Sequence, residues 1–174
     1  RKESSAASDV YKRQVPLAVT LQVVLVMVVG QFFSSILAAY AFARLEFPGR
    51  QILFWAYIST MMIPAIVTMI PLFTMMSQWG MRNTFAGIVA PFMLGSPYAI
   101  FLLRQNFMAL PQEILDAAEL DGAGFWRQLW SIVLPMNRPI LVTLLLITVV
   151  SQWNNFLWPS IVSPRKEWNV LTVA

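Results

Sequence analysis

The sequence predicts an all-α polytopic membrane protein, and three observations carry that expectation. First, no Asp, Glu, Lys or Arg occurs between Arg13 and Arg44, Arg50 and Arg82, Arg82 and Arg104, or Arg138 and Arg165. Each gap holds at least the roughly 20 residues that a helix needs to cross a bilayer. Second, 58% of the residues are hydrophobic and 11% charged, against roughly 25% charged in soluble domains. Third, Glu113, Asp116, Glu119 and Asp121 gather with Arg104, Arg127 and Arg138 in one segment, which must face water or another protein. A soluble protein with a large buried core is the competing class. It is disfavoured because each apolar run has the length of a span and several adjoin through very short loops.

The first span is expected over residues 15–43, longer than a bilayer core requires and therefore tilted or projecting. Its polar residues Gln22, Gln31, Ser34 and Ser35 are expected to serve helix packing. The loop RLEFPGR (44–50) reverses the chain with Pro48 and Gly49, and its two arginines against one acid suggest the cytoplasmic side. The second span, 52–76, contains Pro64 and Pro71, each of which removes a helical hydrogen bond and should kink or interrupt it. Met61, Met62, Met69, Met75 and Met76 are read as adaptable packing residues. After a short loop carrying Arg82, the third span, 84–103, is made irregular by Pro91, Gly95 and Pro97. The fourth, 140–159, begins after Pro139, where proline is tolerated at a helix start. With Arg44, Arg50, Arg104, Arg127 and Arg138 inside against Arg82, Arg165 and Lys166 outside, the charge bias places the long segment 104–138 in the cytoplasm.

That segment has an architecture of its own. Pro111 can open a short helix at its first position, with Ile114, Ala117, Ala118 and Asp121 on one face and Gln112, Asp116 and Glu119 on the other. Gly122 can end it in a left-handed conformation. Asp121 or a neighbour is then expected to cap a second short helix in which Phe125, Leu129 and Ile132 repeat on one face. Pro135 should break the chain before the fourth span. The alanine pair would let a partner's surface approach closely, with Phe125 as an anchor.

The composition also excludes several functions. The chain has no cysteine and no histidine, hence no disulfide framework, no thiolate chemistry and none of the commonest zinc ligands. It has no phosphate-binding G-x-x-x-x-G-K-[ST] loop, and Lys2, Lys12 and Lys166 follow no glycine-rich stretch. Its serines lack a histidine or a nearby lysine base. No catalytic residue, cofactor site or metal site is assigned, since a solvated helix face accounts for the clustered carboxylates. The net charge of +4 is no sign of nucleic-acid binding, because four of the twelve basic residues lie in the first fourteen positions. Residues 1–14 are polar and unlike the rest, and SSAASDVYKRQ (4–14) resembles a stretch that precedes unrelated proteins. They are set aside as a non-native tail.

The run DAAELDGA (116–123), followed by Phe125 to Trp130 and by IVLP (132–135), resembles the cytoplasmic EAA loop of membrane subunits in binding-protein-dependent ABC importers. Beyond the loop, AAYAFAR (38–44), FPGR (47–50), MIP (62–64), FLLR (101–104) and WNNFLWP (153–159) resemble the carbohydrate-uptake branch, at the place of its maltose-type second permease subunit. The resemblance covers residues 15–174. It implies a fragment of a type I ABC importer transmembrane domain in a bacterial-type cytoplasmic (inner) membrane, with 104–138 as its coupling-helix loop. The implied partners are a second permease subunit, two ATPase subunits that hydrolyse the ATP, an extracytoplasmic solute-binding protein and a sugar-class substrate. The implied ATPase interface comprises Asp116, Ala117, Ala118, Asp121, Gly122, Ala123, Phe125, Leu134 and Pro135. The family's leading glutamate is Asp116 here, a carboxylate on a shorter arm. Against the family's pattern, a first span ahead of Val15 and a last one beyond Ala174 are expected to be missing.

Two other classes share the hydropathy. An ion-coupled secondary transporter usually carries an ionisable residue within a span, and the four gaps hold none. A non-transporting membrane scaffold would not need the paired-alanine, Asp-Gly, Leu-Pro spacing. Trp153 and Trp158 fit an interfacial aromatic belt, whereas Asn154 and Asn155 could line a solute path or meet a partner helix. No substrate-path residue is assigned.

Overall fold

A computed structural model describes residues 2–155 and 157–163, with side chains from Leu17 onward. Phe156, the charges Arg165 and Lys166 and the segment 169–174 lie outside the described residues. Regular structure among the described residues is helical. Helix α1, Lys2–Arg44, begins within the segment set aside as a tail. Then come α2 (Arg50–Ser59), α3 (Ala65–Gln78), α4 (Phe85–Val89), α5 (Pro97–Met108), α6 (Gln112–Leu120), α7 (Phe125–Gln128), α8 (Leu134–Met136), α9 (Arg138–Trp153) and α10 (Leu157–Val162). By length and composition, Leu17–Arg44, Phe85–Met108 and Arg138–Val162 can each cross a membrane, and the broken pair Arg50–Met62 and Ala65–Gln78 makes a fourth candidate.

The breaks follow the prolines and glycines. Pro64, at ψ 131°, stops the helical path between a 3-10 turn at Thr60–Met62 and α3. Pro71, expected to kink or interrupt the span, does not interrupt it: α3 continues through it to Gln78, because losing one hydrogen bond need not end a helix. In the third span a 3-10 turn at Ala90–Phe92 leads to an interruption at Ser96 before α5. The fourth breaks at Asn154 and Asn155, which the expected continuous span did not foresee.

The chain forms two compact units. One comprises the described residues of 1–30, 63–94 and 148–174. Val19, Val23 and Met27, one helical turn apart on α1, pack there with Met76, Ile88, Val89, Trp158 and Val162. Trp158 belongs to this core rather than to an aromatic belt. Its Nε1–H donates to the Gly87 carbonyl at 3.1 Å, and its ring meets Phe92 edge-on at 5.6 Å. Of the five methionines, only Met76 is buried. Thr84 accepts the Gly87 N–H at 3.1 Å and so caps α4. Gly87 is required by a close approach, since a Cβ there would lie 2.1 Å from the Met81 carbonyl oxygen.

The other unit comprises residues 31–62 and 95–147. Ile36, Ala39 and Tyr40 of α1 pack against Ala99, Ile100, Leu103 and Phe107 of α5, together with Leu115, Leu129, Val133, Leu134 and Leu144. Ser35 is fully buried and accepts the Ser96 N–H at 3.2 Å, which bears out a packing role for that serine. Tyr57 donates its hydroxyl to the Gly95 carbonyl. Arg104 was counted above as a loop cation, but α5 extends to Met108 and Arg104 is buried within it. Its Nε–H donates to the Phe42 carbonyl at 3.1 Å and its guanidinium lies 4.0 Å from the Phe54 ring centroid. A planar cation can satisfy a carbonyl and stack on an aromatic face at once.

Replacing Gly87 by alanine is expected to lower thermal stability in detergent by about 2 kcal/mol, the cost of forcing atoms into a filled space. An unchanged unfolding transition for Gly87→Ala would contradict the close approach to Met81.

Candidate functional site

The acidic segment between α5 and α9 folds as a short helix, a glycine turn and a second, irregular helical stretch. Pro111 stands at the N-cap of α6 rather than at its first position, with extended backbone at ψ 128°. Its carbonyl still accepts the Ile114 N–H at 3.3 Å. Glu113 lies in the first turn, where a carboxylate complements the helix dipole.

The end of α6 explains much of the motif. Gly122 has φ +77°, the left-handed conformation that costs a Cβ-bearing residue roughly 1–2 kcal/mol. The Gly122 N–H donates to the Glu119 carbonyl at 2.9 Å, and the Ala123 N–H to the Ala118 carbonyl at 2.9 Å. This pair of bonds is a Schellman motif, which usually brings an apolar contact between the residues joined by its longer bond. Those residues are Ala118 and Ala123, and both are buried. Asp121 is the C-cap of α6 and does not cap the next helix, as had been expected; Gly124 occupies that N-cap, with no side-chain bond.

The helical face is therefore rotated from the expected one. Leu115 and Ala118 point inward. Ile114, Ala117 and Asp121 are exposed, as are Asp116 and Glu119. Of the nine residues implied by the resemblance, Asp116, Ala117, Asp121 and Gly122 form one exposed surface, while Ala118, Ala123 and Leu134 are interior. Phe125 and Pro135 are half-buried. Phe125 packs edge-on against Tyr40 at 5.0 Å and against Trp126 at 4.9 Å, so its ring serves its own unit. Besides Ile114, the exposed large apolar side chains of the knob formed by α6 and α7 are Leu120, 90% accessible, and Trp126, 57%. Neither stood out in the sequence, because they fall outside the apolar periodicity.

After α7, a π-helical turn spans Leu129–Val133 and buries both of its end residues. It precedes Pro135, which has no N–H to continue a regular ladder. Asn137, buried just after, donates its Nδ2–H to the Val133 carbonyl at 2.8 Å.

Arg44, at the end of α1, was read only as a loop charge. Its guanidinium donates to the carbonyls of Phe107 at 2.5 Å and Leu110 at 2.9 Å, and to Gln112 Oε1 at 2.5 Å. Gln112 Nε2 in turn donates to Asp116 Oδ1 at 2.9 Å. The Tyr40 hydroxyl is 3.3 Å from Gln128 Oε1, and Gln128 Nε2 donates to the Ala123 carbonyl at 2.9 Å. A groove of 470 Å³ opens among Tyr40, Arg44, Gln112, Gly122, Phe125 and Gln128. No cluster of three metal-ligating side chains occurs among the described residues.

Around the WNNFLWP stretch, Asn155, Gln152, Thr20 and Trp153 border a cavity of 10 Å³, room for about one water. Asn154 turns back to the Val150 carbonyl at 2.9 Å.

The chain is 40% identical over 135 residues, 78% of its length, to the sn-glycerol-3-phosphate transport system permease protein of Yersinia enterocolitica, of which the match covers 48%. It is 31% identical over 157 residues, 90% of its length, to half of the diacetylchitobiose uptake system permease protein of Streptomyces coelicolor. The chain thus spans about half the length of these relatives. In structure it matches a chain of a bacterial ABC transporter involved in the import of the acidic polysaccharide alginate, with a TM-score of 0.85 at 27% identity, over 93% of this chain and 57% of the other. The helical fold is accordingly that of a type I ABC importer permease. With residues 30–166 matching the profile of one family, the chain belongs to the binding-protein-dependent transport system inner membrane components.

Proposed function

We propose that this chain is part of a permease subunit of an ATP-driven importer in a bacterial inner membrane, and that it couples to an ATPase through the knob formed by α6 and α7. The solute is of the sugar or polyol-phosphate class, delivered by an extracytoplasmic binding protein, and a second permease subunit completes the path. ATP is hydrolysed by separate ATPase subunits. Supporting this reading, the relatives named above are transport-system permeases.

The observation that carries the coupling role is the exposed surface of Asp116, Ala117, Leu120, Asp121 and Gly122 on a rigidly terminated helix. Two carboxylates flank a residue without bulk, and Leu120 projects an apolar side chain that nothing in its own unit covers. Such a surface fits a partner cleft with a basic rim and an apolar floor. A cation in that rim would meet Asp116 closer to the helix axis than the family's glutamate would place it.

A cysteine at Ala117, exposed where Ala118 is not, should cross-link to the ATPase subunit in the assembled complex, with a yield that changes between nucleotide-free and ATP-bound states. An intact complex with no cross-link from that position would refute the coupling surface. Asp116→Asn is expected to reduce solute-stimulated ATP hydrolysis roughly tenfold, as for loss of a charge-assisted hydrogen bond, and Asp116→Glu to retain it. Equal activity of the Asn variant would remove Asp116 from the interface.

A further inference from the structure

We propose that Tyr40 and Arg44 are positioning residues that tie the two arms of the knob to the end of the first span, through one glutamine in each arm. The inference rests on the coupling role proposed above and names how a load on the knob would reach the spans.

Tyr40 and Arg44 are four residues apart on α1, so their side chains leave one face, one above the other. Each meets a glutamine oxygen, Tyr40 that of Gln128 and Arg44 that of Gln112. Each glutamine then donates its amide nitrogen deeper into its own arm, Gln112 to the Asp116 carboxylate and Gln128 to the Ala123 carbonyl. An amide offers an acceptor and a donor at opposite corners of one rigid plane. A side chain of similar length without that pair would fill the space but break the connection. The first arm reaches the exposed carboxylate of α6, and the second reaches the residue that closes the Schellman turn.

Arg44 does more than hold Gln112. It also binds the Phe107 and Leu110 carbonyls at the end of α5, where a cation complements a helix C-terminus. A pull on Asp116 is therefore shared between α1 and α5 at a single guanidinium. The groove among these residues leaves Gln112 exposed and with little packing of its own. A purely structural role would make it dispensable.

The test uses the full permease carrying this sequence, assembled with its ATPase subunits in lipid nanodiscs. Amide hydrogen exchange is compared between the nucleotide-free complex and one trapped with ATP and vanadate. In the unaltered complex, exchange should change both in α6 and over residues 40–44. In the double variant Gln112→Met, Gln128→Met, the α6 response should persist while the response at 40–44 shrinks roughly fivefold, the scale of a lost hydrogen bond in a coupling term. A full response at 40–44 in the double variant overturns the relay and leaves the coupling surface standing. No nucleotide response in α6 of the unaltered complex overturns the coupling surface, and the relay with it.

Discussion

The structure depends on finding donors for backbone carbonyls that its broken helices set free. In apolar surroundings water cannot supply them, and each one left bare is costly. Arg44 answers two carbonyls at the end of α5, Arg104 answers Phe42, and Tyr57 answers Gly95. Trp158 answers Gly87. These polar side chains are thus placed where helices stop or deform. Between helices in lipid, where burial of apolar surface supplies little drive, such bonds and close packing carry the association.

The same demand shapes the knob. Its helix ends on a left-handed glycine and two backbone bonds, so the carbonyls of Ala118 and Glu119 are satisfied within the chain. Ala118 and Ala123 are small because they close that turn, and Ala117 is the small residue that remains on the surface. A motif that reads in sequence as one interaction surface divides in space into residues that build the turn and residues that face outward.

Much of this was legible in the sequence. The charge-free runs fall on three helices long and apolar enough to cross a membrane and on one bent pair, Pro64 marked a real break, and Gly122 announced its own conformation. The inward face of α6 was not legible. A nine-residue helix with Ile114, Leu115, Ala117, Ala118 and Leu120 supports two rotations, and tertiary packing of Leu115 on the α1 and α5 core decides between them. Arg104 was misplaced because a guanidinium at a span end looks like a loop charge until an aromatic ring is found beneath it. The roles of Gln112 and Gln128 depend on partners 68 and 88 residues away in sequence, a separation that no local pattern encodes. Trp158 was read from its place near a span end, whereas its environment is set by Gly87, whose lack of a Cβ admits the Met81 backbone.

A conventional permease fold here carries a knob whose surface and anchorage are held by different residues. In the proposed coupling, α6 meets an ATPase with Asp116, Ala117 and Leu120 while Arg44 keeps its hold from behind. The most direct measurement is a cryo-electron microscopy structure of the assembled complex with ATP bound. Those three residues are expected within contact distance of the ATPase, with Arg44 still bound to Phe107, Leu110 and Gln112. A complex in which α6 lies against lipid or faces water, away from the ATPase, would contradict it.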